Sequence, residues 1–317
     1  MIIVFGSNVV DQFFHIDRMP ELDQAIHVDT HEEAPGGKGQ NQAVAAAKAG
    51  ASVRFYGALG DGAHGRMLIE NLQACGINTS GIQIFKEHPT SVANIYLDDK
   101  SGKHRVVVSQ GANHYAVQSH IPDELLTSDT VLLLQAELKL EQTGTLISRA
   151  RARGCKAVIL NLAPPKELTP EMVANIDYLV MNEHEAQALR KFLGMAEFPS
   201  YEELAKSFNT LYGVKPVITL GENGVVAYDG DTLHRVPALR IKAVDTLGAG
   251  DAFCGMLAAC IDRNMPLPDA LRYASVAGSL ACTKLGAQAA LPTFDEVKAK
   301  LPELGSFKPE PGAKLRA

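Results

Sequence analysis

The sequence predicts an α/β fold, a mainly parallel sheet with helices on both faces and a small second sheet laid over it. Short apolar runs alternate with helical patterns along most of the chain. The runs are apolar at consecutive positions, as expected of strands buried on both faces between two helix layers. Two further segments show one-sided strand patterning, so each must place one apolar face over something else.

Taken in order, IIVFGS (2–7) reads as the first strand. VRFYGAL (53–59), TVLLLQA (130–136), KAVILNL (156–162), DYLVMN (177–182) and PVITLG (216–221) follow. Helical spacing fills 39–50, 65–75, 141–153, 183–193 and 201–212 between them. VVAYDGDTLHRV (225–236) reads as a hairpin turning at Asp229-Gly230, and helices are expected near 249–263 and 267–282. The one-sided segments are strand pairs expected at 13–30 and 91–110, the second turning at the polar residues 98–103. The tail, about 305–317, is polar with Pro309 and Pro311 and is expected to be loose.

Composition narrows the function. The 317 residues suffice for one large domain or two small ones, and 46% hydrophobic with 21% charged residues is the balance of a soluble protein. A net charge of -6 argues against a general nucleic-acid or anionic-membrane surface. No apolar run reaches the ~18 residues of a membrane span, and MIIVFGSNVVD reads as a strand that starts at once, without a basic leader. Cys75, Cys155, Cys254, Cys260 and Cys282 are odd in number and form no C-x-x-C pair. Small buried residues in a reducing cytoplasm fit them best.

APGGKGQNQAVAAAKAG (34–50) places glycines, a lysine and an asparagine just before an Ala-rich helix. A Walker loop would follow the lysine with Ser or Thr to hold Mg²⁺, but Lys38 is followed by Gly39. Another polar ligand or a tight turn remains. AVDTLGAGDAFCGMLAACI (243–261) says more. Gly248, Ala249 and Gly250 turn the chain sharply into a helix whose free amides and dipole make an anion site. Asp251 in that turn can take a proton from an attacking hydroxyl while the amides steady a phosphoryl group. A first-turn aspartate that only satisfies the dipole is the competing reading.

MNEHEAQAL (181–189) contains Asn182-x-x-Glu185, a capping box by itself, or a pair near metal-bound phosphates at the C-terminal edge of a sheet. VITLGENGVVAY (217–228) is a strand running into a turn that either closes a hairpin or offers amides and the Thr219 hydroxyl to a nucleotide. GDGAHG (60–65) matches G-x-G-x-x-G between strand and helix, with strand-like IQIF leading to an acid at Glu87. An NAD enzyme built on it would leave the GGKGQNQ and DTLGAGD stretches without a role.

The ordered set GSNVVD, GGKGQNQAVAAAKAGA, GDGAHG, VSQGAN, LNLAPP, NEHEA, ITLGENG, VDTLGAGDAFCG and KLGAQAALP resembles the ribokinase-like (PfkB) family of carbohydrate kinases. The likeness runs from Ile2 to about Pro292 and is strongest to the ribokinase branch. It implies one ribokinase-like domain over 1–317, a three-layer sandwich with a mainly parallel central sheet plus a small β-sheet lid from about 12–34 and 89–111. By resemblance, Asp11, Gly37, Lys38, Asn41 and Glu137 bind the sugar. Asn182, Thr219, Gly221, Glu222, Gly224, Gly250 and Ser275 attend the ATP, with Glu185 helping to place Mg²⁺ and phosphate. Asp251 becomes the base, and the amides of Gly248, Ala249, Gly250 and Asp251 the anion hole. Asp245, with Leu247, Ala281, Lys284, Gly286 and Ala290, would circle a potassium ion through oxygen ligands, as a hard alkali ion requires. The family often dimerises through its lid.

Three positions depart from the family pattern: Val9 replaces a sugar-contacting asparagine, Ser275 a nucleotide-flanking His or Asn, and Ala290 a serine near the cation loop. The expectation is an ATP-dependent kinase acting on a primary hydroxyl of a pentose, ribose first. Another furanose sugar or a nucleoside is the alternative, and a non-catalytic sugar sensor a weaker one.

Overall fold

The computed structural model describes residues 1–98 and 104–305. The expected polar turn and loose tail therefore lie, apart from Asp98 and Gly305, outside the described residues. The chain opens with β1 (Ile2–Phe5), β2 (Val9–Ile16) and β3 (His31–Gly36), then α1 (Lys38–Lys48), β4 (Val53–Gly60), α2 (Ala63–Ala74) and β5 (Asn78–Phe85). β6 (Ser91–Asp98), β7 (His104–Ser109), β8 (Val131–Gln135), α3 (Leu140–Ala152), β9 (Ala157–Asn161), α4 (Pro170–Ala174), β10 (Tyr178–Asn182) and α5 (Glu183–Phe192) follow. The last part holds α6 (Tyr201–Tyr212), β11 (Lys215–Thr219), β12 (Val225–Asp229), β13 (Thr232–Val236), α7 (Ala249–Asp262), α8 (Leu267–Ala281) and α9 (Phe294–Lys300).

The central sheet runs β13-β12-β11-β10-β9-β8-β1-β4-β5. From β11 to β5 every pairing is parallel, and the β12–β13 hairpin adds the antiparallel edge. β1 shows why the sheet needs helices on both faces. Ile2 and Val4 point into the core that includes α1, α7 and α8, while Ile3 and Phe5 point into the core that includes α3, α5 and α6. All four are at most 2% exposed. Each such side chain contributes about 1.5–3 kcal/mol when fully buried. The expected three-layer α/β fold is what forms.

The second sheet runs β3-β2-β6-β7. Its first strand pair differs from the expectation. β2 begins at Val9, β3 begins only at His31, and 17–30 carry no strand. β3 reads HEEAPG and is exposed over its first three residues, so no apolar alternation announces it. β5 is likewise a mostly unburied edge strand, foreshadowed in the sequence only by IQIF. Val10 of β2 packs with Leu59 and Leu68, which seats the small sheet on β4 and α2.

Candidate active site

The carboxyl ends of the parallel strands share one edge, where open α/β sheets place their ligands. Thr219, Asn182, Asn161 and Gln135 end β11, β10, β9 and β8, with Asn182 beside Thr219 and Gln135 beside Asn161. Beyond β1 the chain turns through Gly6, Ser7 and Asn8 into β2, so the small sheet rises at this end of the row.

α7 brings Asp251 to the middle of the row. Gly248 caps the helix in the left-handed region at φ 78°. A Cβ there would meet Ala287 backbone atoms at 2.9 Å, so the turn needs glycine. Over Gly250 the space is open, with no heavy atom within 4 Å of where a Cβ would stand. The Ala249 N–H donates to the Thr246 carbonyl at 3.3 Å, and the first-turn amides beyond it lie at the N-terminal end of the helix. Asp251 is buried, accepting from Asn41 Nδ2 at 3.0 Å and Gln42 Nε2 at 2.9 Å. Gly255 makes that reach possible. A Cβ on it would stand 2.4 Å from Ala45 Cβ and 2.7 Å from the Gln42 carbonyl oxygen, so only glycine lets α1 pack so close to α7.

Charges converge around Asp251. Burial opposes the Lys38 charge, but Asp251, Glu137 and Glu185 outweigh it and raise its pKa. Burial raises Asp251, against Lys38 and the Gln42 and Asn41 amides. Glu137 accepts from the Ser7 hydroxyl and, at 2.9 Å, from the Lys38 backbone N–H. Burial raises it too, with Lys38 opposing. Asp11 is pushed up to about 7 by burial, then by Glu137 and Asp251, with Lys38 opposing. Asp11, Lys38, Glu137 and Asp251 thus form one electrostatic group, with Asn41 bonded to it and Gly37 at the N-cap of α1. Gly37 takes φ 88°, and a Cβ there would touch Val9 Cγ2 at 3.1 Å.

At the other end Asn182 and Glu185 form the capping box. The Asn182 backbone N–H donates to Glu185 Oε2 and the Glu185 N–H to Asn182 Oδ1, both at 2.8 Å. Burial raises Glu185, with the Asn182 N–H opposing. The cap and a phosphate-side role are compatible, since the box sits at the strand edge. Thr219 donates to the Met181 carbonyl at 3.4 Å. Gly221, Glu222 and Asn223 turn in the open, while Gly224 at φ 92° packs on the Val236 carbonyl. Ser275 is buried and donates to the Pro237 carbonyl at 2.7 Å, bracing that segment.

Asp245 ties two loops. Its Oδ1 accepts from Leu247 N–H at 2.9 Å and its Oδ2 from Gly286 N–H at 3.0 Å. This brings Leu247 near the loop carrying Lys284, Gly286 and Ala290, just after Ala281 closes α8. GDGAHG does open α2 after β4, but a Cβ on Gly60 would stand 2.5 Å from the His88 carbonyl and 2.6 Å from the Thr90 nitrogen. That crowds the first glycine of the motif, whereas at Gly62, the one a pyrophosphate would approach, the space is open.

Sequence reasoning passed over Ser7, Gln42, Gln135, Asn161 and Gln288, all hydrogen-bonded within or beside this group. Gln135 and Asn161 carried a readable signal, each being the polar last residue of a fully buried strand.

Residues 1–294 match the model of the pfkB family carbohydrate kinases. The chain belongs to the pfkB family. This pfkB protein is 33% identical to the ribokinase of Lactococcus lactis over 304 residues, 95% of the chain and 97% of the relative. It is also 31% identical to a deoxyribokinase of Salmonella typhi, over 93% of the chain and 96% of the relative. Its fold matches the ribokinase of Thermotoga maritima with TM-score 0.87 at 32% identity, covering 95% of the chain and 99% of that protein. It also matches a ribokinase of Arabidopsis thaliana, solved with ribose and ATP, with TM-score 0.85 at 27% identity, covering 95% and 98%. The pfkB protein is a carbohydrate kinase of ribokinase type.

Proposed function

We propose that the protein transfers the γ-phosphoryl group of ATP to a primary hydroxyl of a pentose, D-ribose giving ribose 5-phosphate. One observation carries the reading. Asp251 is buried at the start of α7 with both oxygens accepting, one residue after Gly250, over which the space is open. A carboxylate so held is a base waiting for a hydroxyl proton. In the reaction Asp251 takes that proton as the sugar oxygen bonds to the γ-phosphorus. The bond from phosphorus to the β,γ-bridging oxygen breaks and ADP leaves. The amides of Gly248, Ala249, Gly250 and Asp251 steady the charge on the transferring group.

In this reading the small sheet is a lid over the sugar. Asp11, Gly37, Lys38, Asn41 and Glu137 hold the sugar hydroxyls. Asn182, Thr219, Gly221, Glu222, Gly224 and Ser275 line the nucleotide side. Glu185 retains lone pairs beyond its capping bonds, so it suits Mg²⁺ carried on the phosphates, whose role is to neutralise their charge. The Asp245 carboxylate with backbone carbonyls of Leu247, Ala281, Lys284, Gly286 and Ala290 is an oxygen-only donor set, fitting K⁺. A cytoplasmic setting accords with five free cysteines, and a homodimer through the lid completes the reading.

A second reading, another furanose sugar or a nucleoside as substrate, is favoured by Val9. It belongs to an apolar group with Ala93 and Ile95 and offers no hydrogen bond. An ADP-release screen across ribose, deoxyribose, hexoses and nucleosides separates the two. Asp251→Asn tests the chemistry: turnover should fall by ~10²–10⁴, the range for a general base, with ATP binding kept. Near-normal turnover would overturn the assignment.

A further inference from the structure

We propose that Gln42, which donates to Asp251 directly, and Gln288, which orients the Asn41 amide toward it, are positioning residues that keep Asp251 presented as a proton acceptor. The inference rests on Asp251 being the base of the proposed function.

A side-chain amide can turn either its oxygen or its NH₂ toward a neighbour, and whatever holds its other end decides which. Gln42 Oε1 accepts from Gln135 Nε2 at 2.8 Å, so its NH₂ faces away, donating to Asp251 Oδ1 at 2.9 Å and Asn161 Oδ1 at 3.0 Å. On the other side Asn41 Oδ1 accepts from Gln288 Nε2 at 3.0 Å, leaving Asn41 Nδ2 to donate to Asp251 Oδ2. Gln288 is oriented in turn, because its Oε1 accepts from Asn71 Nδ2 at 2.7 Å. Both chains of amides run the same way, with donors toward Asp251. They start from different elements, β8 on one side and α2 on the other.

Two N–H donors, one on each oxygen, match an ionised carboxylate; a protonated one would turn its own hydrogen toward a donor. That matters because burial works against ionisation at this position. The charged and titratable groups facing Asp251 are Lys38 from α1, Asp11 from β2, Glu137 beyond β8 and Cys254 one turn along α7, with Glu185 from α5 next to Cys254. Lys38 is the cation among them, so the amides supply the rest of the bias toward the charged form.

The test measures kcat against pH, from 5 to 9 at saturating ATP and sugar, for wild type, Gln42→Leu and Gln288→Ala. Each loss of an oriented donor should move the acid limb upward by about one pH unit and lower the plateau about tenfold, with KM for ATP unchanged. The same substitutions are then made in Asp251→Asn. There they should cost no further activity, because residues acting through one group are not additive. Limbs that coincide with wild type, or losses that multiply in the Asp251→Asn background, would overturn the inference. If Gln42→Leu fails to fold by thermal melt, Gln288→Ala at its partly buried loop carries the same comparison. An Asp251→Asn enzyme that works normally overturns the base assignment itself, a separate outcome from either.

Discussion

Asp11 sits where ionisation is costly, and the cost has a sign. Its pKa is pushed up to about 7 by burial and by Glu137 and Asp251, above the ordinary 3.8 that the unfolded chain returns it to. Between those values the native carboxyl holds a proton that the unfolded one has lost, so stability falls as pH rises from about 4 to about 7. Asp11→Asn removes that slope. The melting temperature of the variant minus that of wild type should grow from pH 5 to pH 8, and a constant difference would show Asp11 titrating normally. Val9 is the other residue on which the proposed sugar site turns. Its Cγ2 stands where Gly37 turns into α1, two residues from Asp11 on the same strand. It cannot bond a hydroxyl, and one such bond is worth roughly 0.5–1.5 kcal/mol. If ribose is the substrate, Val9→Asn should raise kcat/KM for it by up to about tenfold. A variant that loses ribose activity while wild type prefers ribose would mean that the pocket is organised around the valine.

Between residue and fold, the start of α7 behaves as one unit with the loops beneath it. Gly248 rests against Ala287, and Asp245 holds Leu247 and Gly286 by two backbone bonds. Anything that braces these loops braces the proposed anion-binding turn, where ~1 Å of displacement can cost about a hundredfold in rate. Potassium is therefore expected to raise the initial rate at matched ionic strength, and sodium, being smaller, to raise it less. The melting temperature should rise with KCl by the same preference. Equal rates in KCl, in NaCl and in neither would show that the loops hold no functional cation. Gly248→Ala tests the turn itself. A left-handed φ costs a residue with a Cβ about 1–2 kcal/mol, and contact with Ala287 must also be relieved. We expect a loss of about a hundredfold in kcat with the sugar KM little changed. Unchanged kcat would mean that the turn tolerates displacement.

At the scale of the molecule, the small sheet ends in an edge strand, β7, that presents Val106, Val107 and Val108 at 47%, 59% and 49% exposure. Exposed apolar edges invite pairing, and proteins ordinarily blunt them with charge. Two lids meeting along β7 would cover the valines and also fix how each lid sits over its own sugar. Light scattering should then report a dimer, and Val107→Lys should yield monomers with a raised sugar KM and intact ATP binding. A monomeric wild type would leave these valines without that role.

The alternation of buried apolar runs with helices decided the three-layer fold, because double-sided burial leaves its mark residue by residue in IIVF, VLLLQ and AVILN. Where burial is one-sided or slight the mark fades, which is why β3 and most of β5 carried little. The GGKGQNQ and DTLGAGD stretches were legible for a similar reason. Glycines where the chain turns sharply at a helix start, next to an acid or a lysine, state a local chemistry that needs no tertiary context. What the linear order could not state is which distant groups would meet. Gln42 and Asp251 are 209 residues apart, and Asn41 and Gln288 are 247 apart. Their contact depends on Gly255 letting α1 lie against α7, on β8 and β9 ending level, and on a loop after α8 folding back. Charge effects were equally out of reach. An aspartate reads the same in any sequence, and only burial beside Glu137 and Asp251, against the opposing Lys38, raises Asp11 to about 7. Desolvation and mutual repulsion belong to three-dimensional proximity, and only the folded chain brings these carboxylates together.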